Sequence, residues 1–567
     1  MMQQVLIINI TRMGDLAQTV PLLGRLAEEW PGVAIDLVID TRLAPMAALL
    51  PGLRHIHTYD IKTVSKNSQS GPRGDESLSP DIAAWAQSLA AVGYDRVINL
   101  TFTHWSGLLA AAIGAPDTRG AATTKGISIL KNPWLAYCVD MHQFRRFNRF
   151  NVADLFALGG SGLGSHQPIR FTVPSQAVEW ARARVPAYRR LSLPLVAVQV
   201  TTSKTKKAWR PEYVGQTMAA LSRQTPCVFV LTGTANDAAD VAVAVTAYQA
   251  AGGVSELCNM VGQTGVHQLA ALLKECRLVL ASDTGPMHLA VGVGTAVINI
   301  SVGHVDFRET GPYGPGHWVV QPLLDCAPCD MAEACAHHRC KELVVPEHVA
   351  KLARHVLGLA PFPECWTGVR VYQSAIDADG FVCYQQRAGQ CDAMTEWYGT
   401  FWRRFWYEQF TGHTSRIAFE PTPPDLAEQQ EQFCQLALQV DHVVQHAECL
   451  AILCHQPTVS AGDLRAAQDK LIAARQAAMP TTMASPAFGS ITTALFRDLY
   501  DGRVLDTRTR ADHQAQAYRT WKTRIYEVRD RLDQAQGRSG ARCSPVRLRL
   551  PMVEVELGRE KVSGTIV

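Results

Sequence analysis

The sequence LVLASDTGPMHLAVG at residues 278–292 decides the fold of this chain. Its first four residues form an apolar run that is typical of a buried strand, and the helical pattern His288–Gly292 follows a short polar turn. Backbone N–H groups at such a helix start suit a diphosphate, with the Thr284 hydroxyl beside them and Gly285 allowing a close approach. Asp283 and Thr284 could equally serve only as helix caps. The stretch therefore predicts a strand–turn–helix unit of a parallel sheet, with an anion site as one use of its turn.

Two blocks of the chain repeat this alternation of short apolar runs with helical patterns. The first block contains strands predicted at 5–10, 34–39 and 96–100, and the second contains strands at 195–200, 227–231, 278–281 and 296–300, with a helix at 266–274. We expect two doubly wound domains over residues 1–173 and 191–345, joined by a linker at 174–194 and facing a cleft. Residues 62–81 are predicted to be a mobile surface loop, and residues 361–567 a mainly helical extension.

The composition narrows the classes of function. The 567 residues carry 54 Lys and Arg against 51 Asp and Glu, for a net charge of +3, so a dedicated nucleic-acid binder is not expected. Apolar runs are too short for a membrane span, and the N-terminus reads as a strand rather than a signal peptide. The 15 scattered cysteines fit a reducing compartment. We expect a cytoplasmic protein with at most peripheral contact to the inner membrane.

Two further motifs follow predicted strands. Thr201–Trp209, with the sequence TTSKTKKAW, places hydroxyl and ammonium groups where a leaving phosphate could be neutralised, although such a charge run could also be a solvated loop. Met13-Gly14-Asp15 places a carboxylate at the end of the first strand. That carboxylate could act as a general base, or it could merely favour the start of a helix.

Taken in this order, the three motifs resemble glycosyltransferase family 9, the heptosyltransferases of the lipopolysaccharide inner core. The resemblance covers about residues 3–358 and includes the downstream sequence TGPYG at 310–314. It implies the GT-B fold, an α/β architecture in which two Rossmann-like domains face a cleft; here a mainly α-helical C-terminal domain is added. It also implies transfer with inversion at the anomeric carbon and without a required metal or other cofactor.

The resemblance carries roles onto individual residues. Asp15 resembles the catalytic base, while Thr11, Met13 and Gly14 line the cleft. Lys207 resembles the lysine that contacts the donor diphosphate. The other residues that match the family's phosphate-binding positions are Thr201, Thr202, Asp283, Thr284, Gly285 and His288.

This sequence departs from the family's pattern at some positions. The spacing from the Thr pair to Lys207 is one residue longer than usual, so Lys206 is an alternative phosphate contact. Asp237 is the candidate that reads the donor nucleoside, and His304 is a second-tier candidate for the cleft. The family's donor is most often ADP-heptose, but neither the base nor the sugar can be read from this sequence.

Two other clusters leave alternatives open. Cys326, Cys329, Cys335 and Cys340 have a spacing that a structural zinc site could use, and plain thiols or a disulfide are the favoured alternative. Eight aromatic residues between 397 and 410 predict a core helix, with sugar stacking, partner docking or membrane contact as sharper options.

The leading hypothesis is an inverting, metal-independent glycosyltransferase. It would move a heptose-like sugar from a nucleoside diphosphate donor to a saccharide, lipid-linked or protein acceptor, and the extension would help to choose the acceptor or a partner. The alternative is a non-catalytic nucleotide-sugar-binding or assembly protein that keeps a GT-B cleft. A nucleotide-sugar epimerase is a second enzymatic alternative, but the Met-Gly-Asp turn favours a transferase.

Overall fold

The computed structural model describes residues 3–60, 80–124, 127–185, 193–329, 335, 337–418, 427–484 and 488–535. The loop predicted at 62–81 falls almost wholly outside these ranges, since only its last two residues belong to a described helix. None of the described helices is long and apolar enough to cross a membrane.

The first sheet contains six described strands in the order β3-β2-β1-β4-β5-β6. Five of them are parallel, and β6 closes the edge antiparallel to β5. Because helices cover both faces, the central strands are buried on both sides and read as continuous apolar runs. The strands are β1 (Gln4–Ile8), β2 (Ala34–Asp40), β3 (Leu53–Tyr59), β4 (Arg96–Asn99), β5 (Asp117–Thr124) and β6 (Ile127–Lys131).

The second sheet contains eight described strands in the order β14-β13-β12-β11-β10-β7-β8-β9. Its strands are parallel except for a final antiparallel hairpin that pairs with β12. The strands are β7 (Leu195–Gln199), β8 (Val228–Thr232), β9 (Glu256–Asn259), β10 (Leu278–Ala281), β11 (Ala296–Ile300), β12 (Trp318–Pro322), β13 (Val369–Ile376) and β14 (Val382–Ala388).

The helices connect and cover these sheets and then form the extension. Those of the two α/β regions are α1 (Met13–Ala17), α2 (Val20–Glu29), α3 (Ala44–Ala47), α4 (Pro80–Ala90), α5 (His104–Ile113), α6 (Pro133–Asp140), α7 (Val152–Gly160), α8 (Ser175–Arg184), α9 (Pro211–Ser222), α10 (Ala238–Ala250), α11 (Val266–Glu275), α12 (Gly285–Gly292), α13 (Phe307–Thr310), α14 (Cys340–Leu343) and α15 (Pro346–Val356). Those of the extension are α16 (Ala393–Thr411), α17 (Ala427–His455), α18 (Ala461–Ala484), α19 (Gly489–Asp501) and α20 (Thr507–Ala535).

This architecture confirms the expected fold class: two doubly wound α/β units of the GT-B type followed by a mainly helical part. The proposed domain boundaries stay predictions. The hairpin β13–β14 was not expected from the sequence, and it continues the second sheet as far as residue 388. The segment predicted as a linker contains α8, whose residues Ala177 and Ala181 are buried.

The extension shares a hydrophobic core with the first α/β unit. The aromatic residues of α16 are buried except for the partly buried Phe410, and they pack in the same core as Trp134 and Phe150. The ring of Tyr137 on α6 lies 5.9 Å from that of Trp406. The aromatic residues at 397–410 therefore form a core helix, as predicted.

Candidate functional site

The first and second α/β units meet at the turns that follow β1 and β10. A Cβ atom added to Gly14 would lie 2.9 Å from Cδ2 of His288, and one added to Gly285 would lie 2.8 Å from Sδ of Met13. These distances are shorter than real Cβ contacts, so glycine at both positions lets α1 approach the start of α12. The turn that carries Asp15 is thereby held against the turn that carries Asp283 to Gly285.

Lys207 forms an ion pair in this site. Its side chain is largely buried, and its Nζ lies 2.9 Å from Oδ2 of Asp283. The other carboxylate oxygen of Asp283 accepts a hydrogen bond of 3.3 Å from the Thr310 hydroxyl. The carboxylate therefore fixes the position of the ammonium group. The turn also needs Gly303, which has a φ of +77° and approaches the Lys206 carbonyl too closely for a Cβ atom.

His288 is buried on the inner side of this ion pair. Its Nε2 lies 3.9 Å from Oδ1 of Asp283. Burial lowers the pKa of His288, an effect that the carboxylates of Asp283 and Asp15 oppose. A neutral imidazole follows at neutral pH. Its Nδ1 has no hydrogen-bond partner in the described part of the chain.

The turn that carries Asp15 is braced by Asn9, a residue that the sequence reasoning missed. The Asn9 side-chain amide is buried, and its Nδ2 donates to the Asp15 carbonyl oxygen and to Oγ1 of Thr19. The Thr11 hydroxyl donates to Oδ1 of the same amide over 2.8 Å. The signal that could have revealed Asn9 is a polar residue at the end of an otherwise apolar strand.

Three other predicted residues make local contacts. Thr201 is buried and accepts from Nε2 of Gln199 over 3.1 Å, while the Thr202 hydroxyl donates to the Lys204 carbonyl. Asp237 lies just after β8, as expected, and Thr234 donates to its carboxylate from both its backbone N–H and its hydroxyl. That carboxylate thus caps the start of the following helical turn.

His304 lies beside the lysine turn and brings two unpredicted residues into the site. Burial and the nearby ammonium groups of Lys207 and Lys204 lower its pKa to about 4. Its carbonyl accepts from Nη1 of Arg145 over 2.7 Å. The Arg145 guanidinium also binds both carboxylate oxygens of Glu309, the shorter contact being 2.6 Å. Arg145 belongs to the first unit and Glu309 to the second, so this pair spans their junction.

The cysteine cluster does not form a converged ligand set among the described residues. No group of three or more His, Cys, Asp or Glu side chains comes together there, and residues 330–334 and 336 lie outside the description. Cys326 is exposed and Cys340 is buried. Backbone N–H groups of His338 and His337 lower the pKa of the Cys335 thiol. The cysteines whose side chains are described are free thiols.

Comparison with known proteins identifies the family of the matched region. Residues 82–338 match the family model of glycosyltransferase family 9 (heptosyltransferase). This region belongs to glycosyltransferase family 9. It contains the lysine turn and the Asp-Thr-Gly turn, whereas Asp15 lies N-terminal to it.

Two curated relatives from bacteria match parts of this chain. Lipooligosaccharide heptosyltransferase 2 of Campylobacter jejuni is 32% identical over 107 residues, which are 18% of this chain and 32% of the relative. Lipopolysaccharide core heptosyltransferase OpsX of Haemophilus influenzae is 44% identical over 55 residues, which are 10% of this chain and 16% of the relative. The chain thus spans a third or less of the length of these curated relatives.

Two solved structures are also similar to this chain. The glycosyl transferase family 9 from Veillonella parvula is 18% identical, with a TM-score of 0.48, over 63% of this chain and 98% of that one. The ADP-heptose lps heptosyltransferase II of E. coli is 16% identical, with a TM-score of 0.45, over the same shares of both chains.

Proposed function

We propose that this protein is an inverting, metal-independent glycosyltransferase that moves a heptose-like sugar from a nucleoside diphosphate donor to a saccharide acceptor. The observation that carries the proposal is the close approach of the Met13–Asp15 turn to the start of α12. That approach brings the turn of one α/β unit that carries Asp15 against the helix start of the other, beside the Lys207–Asp283 pair.

The proposed reaction is a single displacement. Asp15 takes the proton of the acceptor hydroxyl while that oxygen forms a bond to the anomeric carbon. The bond from the anomeric carbon to the donor phosphate oxygen breaks, and the nucleoside diphosphate leaves. Lys207 and the N–H groups at the start of α12 stabilise the negative charge that develops on this leaving group. The chain itself thus supplies an ammonium group and hydrogen-bond donors to stabilise the leaving diphosphate. This supports a reaction that does not require a metal ion.

The donor and acceptor are proposed from the family. Its description and the names of both curated relatives favour a heptose-like sugar and a lipopolysaccharide-type, lipid-linked saccharide. We propose ADP-heptose as the donor, with Thr284, Gly285 and His288 on its diphosphate and Asp237 near its nucleoside. A protein acceptor is the alternative that the experiment can distinguish. The reaction would take place in the cytoplasm, with at most peripheral contact to the membrane.

The first test is thermal unfolding with ADP, UDP, GDP and CDP in the presence of EDTA. A ligand at about 100 times its Kd stabilises the native state by roughly 2.7 kcal/mol. We expect the largest thermal shift with ADP. Transfer is then assayed with ADP-heptose as the donor, and with a lipid-linked saccharide and a protein fraction as the two acceptors. No shift with any nucleotide and no transfer would reject the proposal.

The Asp15→Asn variant separates an enzyme from a binding protein. We expect kcat to fall by roughly 10²–10⁴-fold because the general base is lost, while the shift with ADP is kept. Asp240→Asn, an exposed carboxylate on α10, is the matched control and should transfer normally. Transfer that survives Asp15→Asn would reject Asp15 as the base.

A further inference from the structure

The first turn of α16 brings one carboxylate of the extension into contact with both α/β units. Oε1 of Glu396 accepts from Nη2 of Arg308 over 2.6 Å, and its Oε2 lies 3.2 Å from Nη2 of Arg149. Arg149 also donates to the Thr395 carbonyl over 2.9 Å. Arg149 belongs to the first unit and Arg308 to the second, so Glu396 joins them.

The two arginines of this contact are largely buried, whereas the Glu396 side chain is 31% exposed. The side chains of Arg308 and Arg149 are 7% and 13% exposed. Burial works against ionisation of the Glu396 carboxyl, but the two guanidinium groups hold its pKa below the usual range. Water screens the carboxylate only in part, and its removal would leave two largely buried cations close to each other.

Three consecutive residues of α13 connect this contact to the candidate site. Arg308 binds Glu396, Glu309 binds Arg145, and the Thr310 hydroxyl donates to Asp283, which holds Lys207. The backbone N–H of Arg308 is fixed in turn by Oδ1 of Asp306. A displacement of α13 would therefore change the geometry of Asp283 and of the lysine ammonium.

We propose that Glu396 is a positioning residue through which the extension holds α13, and with it Thr310, Asp283 and Lys207, at the donor side of the cleft. This inference rests on the proposed function, because it assigns Glu396 to the binding of the donor diphosphate. It also gives the extension a part in donor binding that is separate from any choice of acceptor. Glu396 acts through Arg308 and Arg149 and does not itself touch the substrate.

The test compares Glu396→Gln with the full-length wild type. The probe is the nucleoside diphosphate that gives the largest thermal shift among ADP, UDP, GDP and CDP, and its Kd is measured by calorimetry. We expect that Kd to rise about tenfold and kcat/KM for the donor to fall roughly 10²-fold, since small misplacements cost this much. KM for the acceptor should change by less than about twofold, because Glu396 acts on the donor side.

Glu408→Gln is the matched control. Glu408 lies on the same helix and pairs with Arg531 over 2.7 Å, within the extension. The Glu408→Gln substitution makes the same chemical change at a distance from α13. It should therefore leave the Kd and the kinetic constants for the donor unchanged. Glu396→Asp keeps the charge with a shorter reach, and we expect an intermediate Kd; it also serves if Glu396→Gln does not fold.

The outcomes separate this proposal from the proposed function. If the wild type binds none of the nucleotides and transfers no sugar, the proposed function fails and this inference falls with it. If the wild type is active and Glu396→Gln keeps the wild-type Kd, or if Glu408→Gln weakens binding by the same factor, the positioning role of Glu396 is rejected.

Discussion

The ammonium group of Lys207 lies 2.9 Å from the carboxylate of Asp283, and this ion pair links the turn after β7 to the turn after β10. The carboxylate is held from its other side by Thr310. A diphosphate that entered here would meet a cation already fixed in place, and the ordering of a flexible lysine would not have to accompany binding. Such a fixed charge is the arrangement that stabilises a leaving phosphate most effectively.

The two adjacent lysines should therefore differ in their effect on transfer. We expect Lys207→Met to lower kcat/KM for the donor by roughly 10²–10³-fold, because it removes a fixed charge at the leaving group. Lys206→Met should lower it by less than about fivefold, since the structure directs Lys207 to Asp283. Steady-state kinetics with varied donor would measure both. The reverse order of effects would show that Lys206 is the phosphate contact.

The two glycines at the junction of the α/β units should also differ. In Gly14→Ala the new methyl group meets the buried ring of His288, whereas in Gly285→Ala it meets the flexible side chain of Met13. We expect Gly14→Ala to destabilise the protein by about 1–3 kcal/mol and Gly285→Ala to destabilise it less. Both should reduce transfer, since Gly285 is also proposed to admit the donor diphosphate.

Urea unfolding and donor kinetics would measure the effect of these substitutions. Gly462→Ala is the control, because at the start of α18 its methyl group would lie 3.5 Å from the nearest atom, the hydroxyl of Ser460, and the substitution suits a helix. If Gly14→Ala were as stable and active as the wild type, the close approach of α1 to α12 would not hold in solution.

Local sequence patterns were sufficient to predict the central strands. The runs at 278–281 and 296–300 coincide with β10 and β11, because each is a short apolar run that is buried on both faces. The hairpin β13–β14 was missed, since its strands mix polar and apolar residues and one face of β14 is largely exposed. Its place in the sheet depends on pairing with β12, which no local pattern encodes.

In the candidate site, too, local patterns predicted some residues and missed others. The motifs that contain Asp15, Lys207 and Asp283 were singled out because each follows a strand, and parallel strands bring their carboxyl ends to one edge of a sheet. The roles predicted for these residues came from the resemblance to family 9. Arg145 and Glu309 are separated by 164 residues, and neither stands in a motif that signals the other. Glu396 likewise meets Arg308 only after the extension has folded back onto both units.

Acid should destabilise the second α/β unit through His317. Burial lowers the pKa of His317 to about 4. Its pKa in the unfolded chain is about 6.5, so unfolding takes up a proton between these values and stability falls as the pH falls through this window. The slope that one such group contributes reaches about 1.4 kcal/mol per pH unit.

The His317→Gln variant tests this dependence by urea unfolding at several pH values between 4.5 and 7.5. The variant should lose less stability than the wild type on acidification, while His413→Gln, at an exposed position, should follow the wild type. Parallel curves for the wild type and His317→Gln would contradict the prediction.

Trp402 should be essential to the joint core of the extension and the first unit. Its side chain is 1% exposed and its ring packs against those of Phe401 and Phe405. Truncation leaves a large cavity that the surrounding rings cannot fill, so we expect Trp402→Ala to lower the free energy of unfolding by about 3–5 kcal/mol. Phe496→Ala, on the partly exposed face of α19, should cost about 1 kcal/mol or less. Chemical unfolding followed by tryptophan fluorescence measures both values. Equal losses for the two variants would mean that α16 is not packed in a shared core, and the path from the extension to α13 would then lack its support.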